Sequence, residues 1–368
     1  MPDHQAALRP SAGPVLSVSL HDTALVHDYL LVRRGAERTF EAMADCWPHA
    51  PIHTLLYDPV ATAGRFAHRD VRTSALQRTG FRQERFRRLL PLFPGATARM
   101  DLGEPELVVS SSSAFAHGVT LPRSTTHVCY CHSPFRYVWH ERERALGEFP
   151  GPLRGAGARV LQYVRSWDLQ ASGRVTHYIA NSPITQQRIF EFYGRESTVI
   201  HPPVAVERFS PGTPEDFFLT VCELVPHKNV DVALEAAATA GVRMKVVGTG
   251  PERERLEAQF GDVAEFLGRV SDTELEDLYA RCRAFLMPAV EEFGIAAVEA
   301  MASGRPVVAA DRGGALEFVD AETGVLVPVR DGDALAEALR YTDFDAFDPQ
   351  QLRARAMSFS TETFRSRP

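Results

Sequence analysis

Lysine is nearly missing from this chain. Of 368 residues only Lys228 and Lys245 are lysine, and arginine carries the rest of the positive charge. A codon habit accounts for such a bias, so composition alone assigns it no function. It does single out the two lysines that remain. Cysteine is also sparse: Cys46, Cys129, Cys131, Cys222 and Cys282 are scattered, with no CxxC pair or Cys/His ladder. That excludes a disulfide-stapled mini-protein and argues against structural zinc, leaving free thiols in a reducing compartment as the expectation. No stretch of 18 consecutive apolar residues occurs, so no spanning helix is expected. The apolar stretch 15–26 is broken by His21 and Asp22 and lacks a basic lead, so no signal peptide is expected either. The basic surplus that suits a nucleic-acid partner is absent, since the formal net charge is −7.

What is present is an ordinary globular composition, 45% hydrophobic and 24% charged, which excludes a wholly disordered or collagen-like chain. The length suggests two domains. Charge divides the chain in a similar way. Up to Ala205 there are 23 arginines against 18 acidic residues, a net of +5. From Val206 onward, 17 basic and 29 acidic residues leave −12. Between the halves, IHPPVAVERF (200–209) carries two prolines, which stiffen the chain and suit a connector. The expected division is an N-terminal domain over 1–205, a C-terminal domain over 206–345, and a final segment over 346–368.

Short apolar runs alternate with helical patterns. Strands are expected at 23–26, 52–56, 107–110, 127–131 and 178–180 in the first half. In the second half they are expected at 217–221, 244–247, 264–267, 284–287 and 306–310. Helices are expected at 36–45, 230–240, 252–260, 272–283, 293–302 and 349–357, with Ser271 and Glu274 as a capping box. Such alternation implies an α/β architecture of parallel sheets with helices on both faces. Three first-half strands run into the polar segments 110–113, 132–134 and 181–183. Ligands of open α/β sheets bind outside the carboxyl ends of strands, so these segments form a candidate rim.

The strongest chemical signal is Glu291-Glu292-Phe293-Gly294-Ile295-Ala296-Ala297-Val298-Glu299, at an expected strand-to-helix junction. Gly294 lets the backbone approach a ligand, and the unpaired N–H groups of the next turn suit a phosphate or a sugar hydroxyl. Glu291 is placed to accept from hexose hydroxyls and Glu299 from a ribose. The plainer alternative is an acidic N-cap with a surface glutamate.

In this context the chain resembles family 4 of the retaining glycosyltransferases, enzymes of the GT-B fold with two Rossmann-like parallel-sheet domains facing a cleft. The matching runs are IHPPVAVERF, LVPHKNVDVALEAA, VVGTGPE, EEFGIAAVEAMASGRPVVAADRGG and TGVLVPV in the second half. In the first half they are VHDYL, RGAER, LVVSSSSAFAHGV and YCHSPFRYVW. Together they cover roughly residues 24–364. YCHSPFRYVW and EEFGIAAVEAMASG are most similar to a branch that includes mannosyltransferases of bacterial surface polysaccharides.

The resemblance implies transfer of a hexose from a nucleotide sugar, GDP-mannose first, to a glycan, lipid-linked or small-molecule acceptor. The anomeric configuration would be retained. The C-terminal domain would hold the nucleotide, the N-terminal domain would shape the acceptor side, and the final helix would cross back to the N-terminal domain. Glu291 would hold the hexose, Glu299 the ribose, and the backbone at Phe293, Gly294 and Ile295 the hexose and phosphate. Lys228 would neutralise the departing diphosphate, and His132 would hydrogen-bond near the reaction centre. Gly35, Glu223, Gly248 and Arg269 complete the implied donor-binding set. A front-face mechanism needs no carboxylate nucleophile, and none is nominated. No cofactor or metal is expected: Asp343-Phe344-Asp345 has DxD spacing but lies near the crossover.

Two departures from the family pattern stand out. Ala36 replaces a second glycine after Gly35. Glu223 stands where the family commonly has an arginine beside Lys228. Either another arginine substitutes, or Glu223 points away or pairs with Lys228, or the donor or the activity differs. The arginines at 78, 82, 85, 87 and 88 fit an interfacial helix drawn to anionic lipid, or a solvated helix over the core. The expected location is cytoplasmic, with peripheral contact at the inner membrane face. The competing functions are an epimerase or phosphorylase of the same fold, and a non-catalytic nucleotide-sugar binder. A dehydrogenase is weakest, because Gly248-Thr249-Gly250 lacks the dinucleotide glycine spacing.

Overall fold

The computed structural model describes residues 22–79 and 89–367. Among these, thirteen short strands form two wholly parallel sheets. The first contains β1 (Thr23–His27), β2 (Ile52–Thr54), β3 (Val71–Thr73), β4 (Leu107–Ser112), β5 (Thr126–Cys131), β6 (His177–Ala180) and β7 (Ser197–Val199). Their order is β3-β2-β1-β4-β5-β6-β7. The second contains β8 (Phe218–Val221), β9 (Met244–Val247), β10 (Ala264–Gly268), β11 (Ala284–Met287), β12 (Val307–Ala310) and β13 (Gly324–Val327). Their order is β10-β9-β8-β11-β12-β13. Central strands such as β11 and β12 are buried along their whole length, as strands covered on both faces must be.

In each sheet the strand order reverses once, between β1 and β4 and between β8 and β11. Helices there leave to opposite faces, and a crevice opens beyond the carboxyl ends of the strands. The α/β, two-sheet architecture is the expected one.

The differences in detail have physical reasons. The helices Arg154–Ser172 and Pro183–Tyr193 were not expected. The inward face of the first carries Asp168, fully buried, which accepts from Trp139 Nε1 (2.7 Å) and Tyr193 Oη (2.8 Å). A buried face that mixes Gly157, Asp168 and Ser172 with Leu161 and Val164 blurs the apolar periodicity. The second runs from Pro183 in its first turn to Gly194, whose φ of +65° ends it in the left-handed conformation. The unexpected strands β3, β7 and β13 are short sheet edges. Ser271 caps its helix through the Glu274 N–H (3.2 Å), and that helix stops at Arg281. After the helix Pro349–Met357, a short helix Thr361–Arg365 meets the first sheet's side. There Phe364 lies against Tyr130 and Arg365 pairs with Asp45. Of the five clustered arginines, Arg78 ends a turn at Ala75–Thr79, and the other four lie outside the described residues.

The first sheet encloses imidazoles as well as apolar groups. His127 is 1% exposed, its Nε2 lies 2.8 Å from Ser110 Oγ, and burial pushes its pKa down to about 3. Between that value and the ordinary imidazole range the unfolded chain binds the proton and the folded chain does not. Stability therefore falls as pH drops from about 6.5 toward 3. His127→Gln keeps a polar partner for Ser110 and is expected to flatten the fall in thermal midpoint between about pH 7.5 and 5.5. Equal slopes for both proteins would contradict a neutral imidazole at this position.

Candidate functional site

Most residues singled out by sequence gather where the two strand-order reversals face each other; Arg269, past the edge strand β10, lies apart from the reversal. On the first-sheet side, β1 ends at His27 and leads into Asp28. The Asp28 carboxylate accepts from the backbone N–H groups of Ser113 (2.6 Å), Phe115 (2.8 Å) and Ala116 (2.6 Å). It thereby fixes the turn after β4, a buried charge satisfied by backbone donors. Ser111 Oγ lies 3.0 Å from His27 Nδ1 and 2.8 Å from His132 Nε2. His132 follows β5 directly. Burial, reinforced by the nearby His27, lowers its pKa to about 3, so the ring is neutral near pH 7.

On the second-sheet side, glycines let the loops close on one another. Gly248 has φ +133°, and a Cβ there would run into the Cys222 carbonyl. Gly294 has φ +107°, and a Cβ would come within 2.7 Å of Met287 Sδ. This turn starts the helix Ile295–Ala302, whose first N–H groups open toward the cleft. Lys228 closes the turn Pro226–Lys228, and its ammonium pairs with the Glu291 carboxylate. Burial opposes the lysine's charge, but Glu291 outweighs it and the pKa is raised. Phe293 points into the core against Phe318, Phe359 and His201, so only its backbone is available to a ligand. Arg269 is exposed just past β10.

At the cleft the two sides meet through ion pairs in which the first half gives arginine and the second half glutamate; the Arg365–Asp45 pair, made by the final helix, runs the other way. Arg34 grips Glu223 through two nitrogens (2.7 and 3.1 Å). Arg38 Nη1 donates to Glu299 Oε1 (2.7 Å), and Tyr279 Oη donates to Glu299 Oε2 (3.0 Å). Arg188 Nη1 donates to Glu292 Oε1 (3.1 Å), with Arg136 3.9 Å from the other oxygen. Burial raises the Glu292 pKa, but Arg136, Arg188 and Lys228 together bring it below the ordinary range. Glu299 differs: burial dominates, and its pKa stays raised despite Arg38 and Tyr279. Arg34 and Arg38 flank the start of the helix Gly35–Cys46, and a Cβ on Gly35 would lie 3.1 Å from Ile295 Cδ1. Two helix N-termini thus converge in the cleft.

Glu223 therefore pairs with Arg34 from the opposite half and not with Lys228, which is held by Glu291. Glu299 is 5% exposed and both its oxygens are engaged, so it is not an open acceptor in this arrangement. Arg38, Arg136 and Arg188 were not singled out by the sequence; Ser111, in the expected rim, and Glu292, in the glutamate motif, had no role assigned. Their signal lay in the charge split of the halves and in the motif YCHSPFRYVW, which contains Arg136. Among the described residues, no group of three or more His, Cys, Asp or Glu is arranged to hold a metal, and no helix is long and apolar enough to cross a membrane.

Two family models match adjoining parts of the chain: Glycosyltransferase Family 4 over residues 33–208, and Glycosyl transferases group 1 over residues 206–355. The GDP-mannose-dependent monoacylated alpha-(1-6)-phosphatidylinositol monomannoside mannosyltransferase of Corynebacterium glutamicum is 34% identical over 43% of this chain and 50% of its own. A D-inositol 3-phosphate glycosyltransferase of Streptomyces avermitilis is 30% identical over 58% of this chain and 52% of its own. The chain spans about half the length of the curated relatives it matches. Among solved structures, Anabaena Alr3699/HepE in complex with UDP and glucose superposes with a TM-score of 0.68 at 20% identity, over 94% of this chain and 97% of that one. That likeness identifies the GT-B fold.

Magnitudes rank the cross-cleft pairs. Arg34 and Glu223 have side chains 52% and 38% exposed, and such a pair contributes about 1 kcal/mol or less. Glu299 without Arg38 would be a buried carboxylate short of its cation, at a cost of several kcal/mol. Opening the cleft rehydrates Glu299 and relieves that cost. Arg38→Ala is therefore expected to raise the radius of gyration measured by small-angle X-ray scattering, while Arg34→Ala leaves it unchanged. Identical scattering from wild type and Arg38→Ala would show that this pair does not hold the cleft.

Proposed function

The chain belongs to the family 4, group 1 glycosyl transferases, and from that membership we propose that it is a retaining hexosyltransferase using a nucleotide-sugar donor, GDP-mannose first. The observation that carries this reading is the convergence of cations and helix N-termini at the two strand-order reversals. Arg34 precedes the helix Gly35–Cys46, Gly35 lies against Ile295 at the start of the helix Ile295–Ala302, and Lys228 pairs with Glu291 just before that helix. Each end favours negative charge through its unpaired N–H groups and partial positive charge.

In the proposed complex the donor diphosphate takes over Lys228 from Glu291 and Arg34 from Glu223. Glu291, released, accepts from hexose hydroxyls. Glu299 accepts from the ribose once Arg38 has moved off it. As the anomeric C–O bond breaks, negative charge grows on the leaving diphosphate, and fixed cations beside it stabilise the transition state more than the ground state. The acceptor hydroxyl enters on the same face, and a phosphate oxygen receives its proton. The acceptor is a glycan, a lipid-linked sugar or a small molecule. The name of the corynebacterial relative supports a GDP-mannose donor, and the names of both relatives support an acceptor bearing hydroxyls and a phosphate.

A thermal-shift screen of GDP, UDP, ADP and dTDP sugars, followed by product analysis, tests the reading. A GDP-sugar is expected to give the largest shift, and product should form with the α-anomeric configuration kept. Binding without turnover across an acceptor panel would favour a non-catalytic binder. Glu291→Ala should lower turnover at least about tenfold, the scale of one hydrogen bond to a charged group. Lys228→Ala should weaken nucleoside diphosphate binding by calorimetry, and equal affinity would remove it from the site.

A further inference from the structure

A chain of four polar side chains runs from the start of the helix Gly35–Cys46 to His132. Glu37 Oε2 accepts from the Arg34 backbone N–H (2.8 Å), and Glu37 Oε1 lies 3.7 Å from His27 Nε2. His27 Nδ1 lies 3.0 Å from Ser111 Oγ, which in turn lies 2.8 Å from His132 Nε2. His27 is 2% exposed, Glu37 5%, and Ser111 fully buried, so no water competes along the chain. His132 Nδ1 bonds to none of the described residues. His132 itself is half-buried, whereas His27 and Ser111 are closed off.

From this geometry we propose that Glu37 and His27, acting through Ser111, hold His132 in the tautomer that offers a bare Nδ1 to the cleft. A carboxylate only accepts, a hydroxyl has one hydrogen, and a neutral imidazole has one N–H and one bare nitrogen. At a pH above the ordinary imidazole range a histidine holds one ring hydrogen; in His27, Glu37 keeps that hydrogen on Nε2, because a bare nitrogen there would turn its lone pair on the carboxylate. His27 Nδ1 is then bare, and the Ser111 hydroxyl donates to it. Ser111 Oγ has no second hydrogen, so it accepts from His132, whose hydrogen must sit on Nε2. The neutral state of the buried His132 ring leaves Nδ1 as an acceptor.

This makes His132 an acceptor for a substrate hydroxyl and not a donor to a phosphate or ring oxygen. That consequence for ligands rests on the proposed reading of the cleft; the tautomer itself does not. Glu37, His27 and Ser111 are positioning residues, since they act through His132. Glu37 also caps the turn that carries Arg34 and Gly35, so one carboxylate sets both the cleft loop and the ring tautomer.

Nuclear magnetic resonance of the full chain, labelled with 15N-histidine, reads the tautomer directly through two-bond proton–nitrogen correlations. His132 is assigned as the ring missing from the spectrum of His132→Asn. At about pH 8.5 the expected pattern is a hydrogen on Nε2 and a bare Nδ1; a hydrogen on Nδ1 overturns the proposal. Glu37→Gln removes the acceptor-only group and is expected to bring up the Nδ1–H form of His132, whereas an unchanged His132 pattern would remove Glu37 from the relay. The wild-type spectrum decides the tautomer even where a variant fails to fold. A chain with the expected tautomer but no transferase activity would overturn the proposed function and leave this inference standing.

Discussion

A carboxylate cannot be sealed from water without partners, and Glu299 is nearly sealed. Tyr279 satisfies one oxygen from within the same half of the chain, and Arg38 satisfies the other from across the cleft. That second bond favours the closed arrangement, because without Arg38 the buried carboxylate would be short of its cation. The half-exposed Arg34–Glu223 pair adds direction and little energy. The charge asymmetry of the sequence thus has a location. At the cleft the positive half contributes Arg34, Arg38, Arg136 and Arg188, and the negative half contributes Glu223, Glu292 and Glu299.

That constraint also places the backbone. Arg38 sits one turn into the helix that starts at Gly35, so holding Arg38 on Glu299 brings the helix start against Ile295. Glycine is required at 294 by its positive φ and the closeness of Met287. At position 35 the requirement is milder, a 3.1 Å approach to the end of a flexible isoleucine. Position 36 falls inside the helix, where alanine is the better helix former, so Ala36 in place of glycine costs the local structure nothing.

The sheets were legible because their strands are short apolar runs in a regular α/β rhythm, as at 244–247 and 284–287. The helix Arg154–Ser172 was not, since its buried face mixes Gly157, Asp168 and Ser172 with Leu161, Val164 and Ala171 and so thins the apolar stripe. The candidate site was legible where backbone geometry dictates residue type, as at Gly248 and Gly294. It was illegible where the partner is distant in sequence. Arg34 and Glu223 are 189 residues apart and Arg38 and Glu299 are 261 apart, so no local pattern joins them. Glu223 looked misplaced beside Lys228 only because Arg34 could not be seen next to it.

The pairs also bear on selectivity. An open cleft lined by Arg34, Arg38, Lys228 and two helix N-termini would hold like charges together; Glu223, Glu299 and Glu291 neutralise them in this arrangement. On the proposed reading, ligand binding is then an exchange of anions, and its free energy is the difference between two sets of charged contacts. A monoanion can displace one carboxylate and leaves the others in place. A diphosphate carries enough charge to take Arg34 and Lys228 together, and its attached sugars give the released Glu291 and Glu299 hydroxyls to accept from. Discrimination therefore follows from every displaced carboxylate finding a new partner, since any left buried without one would weaken binding.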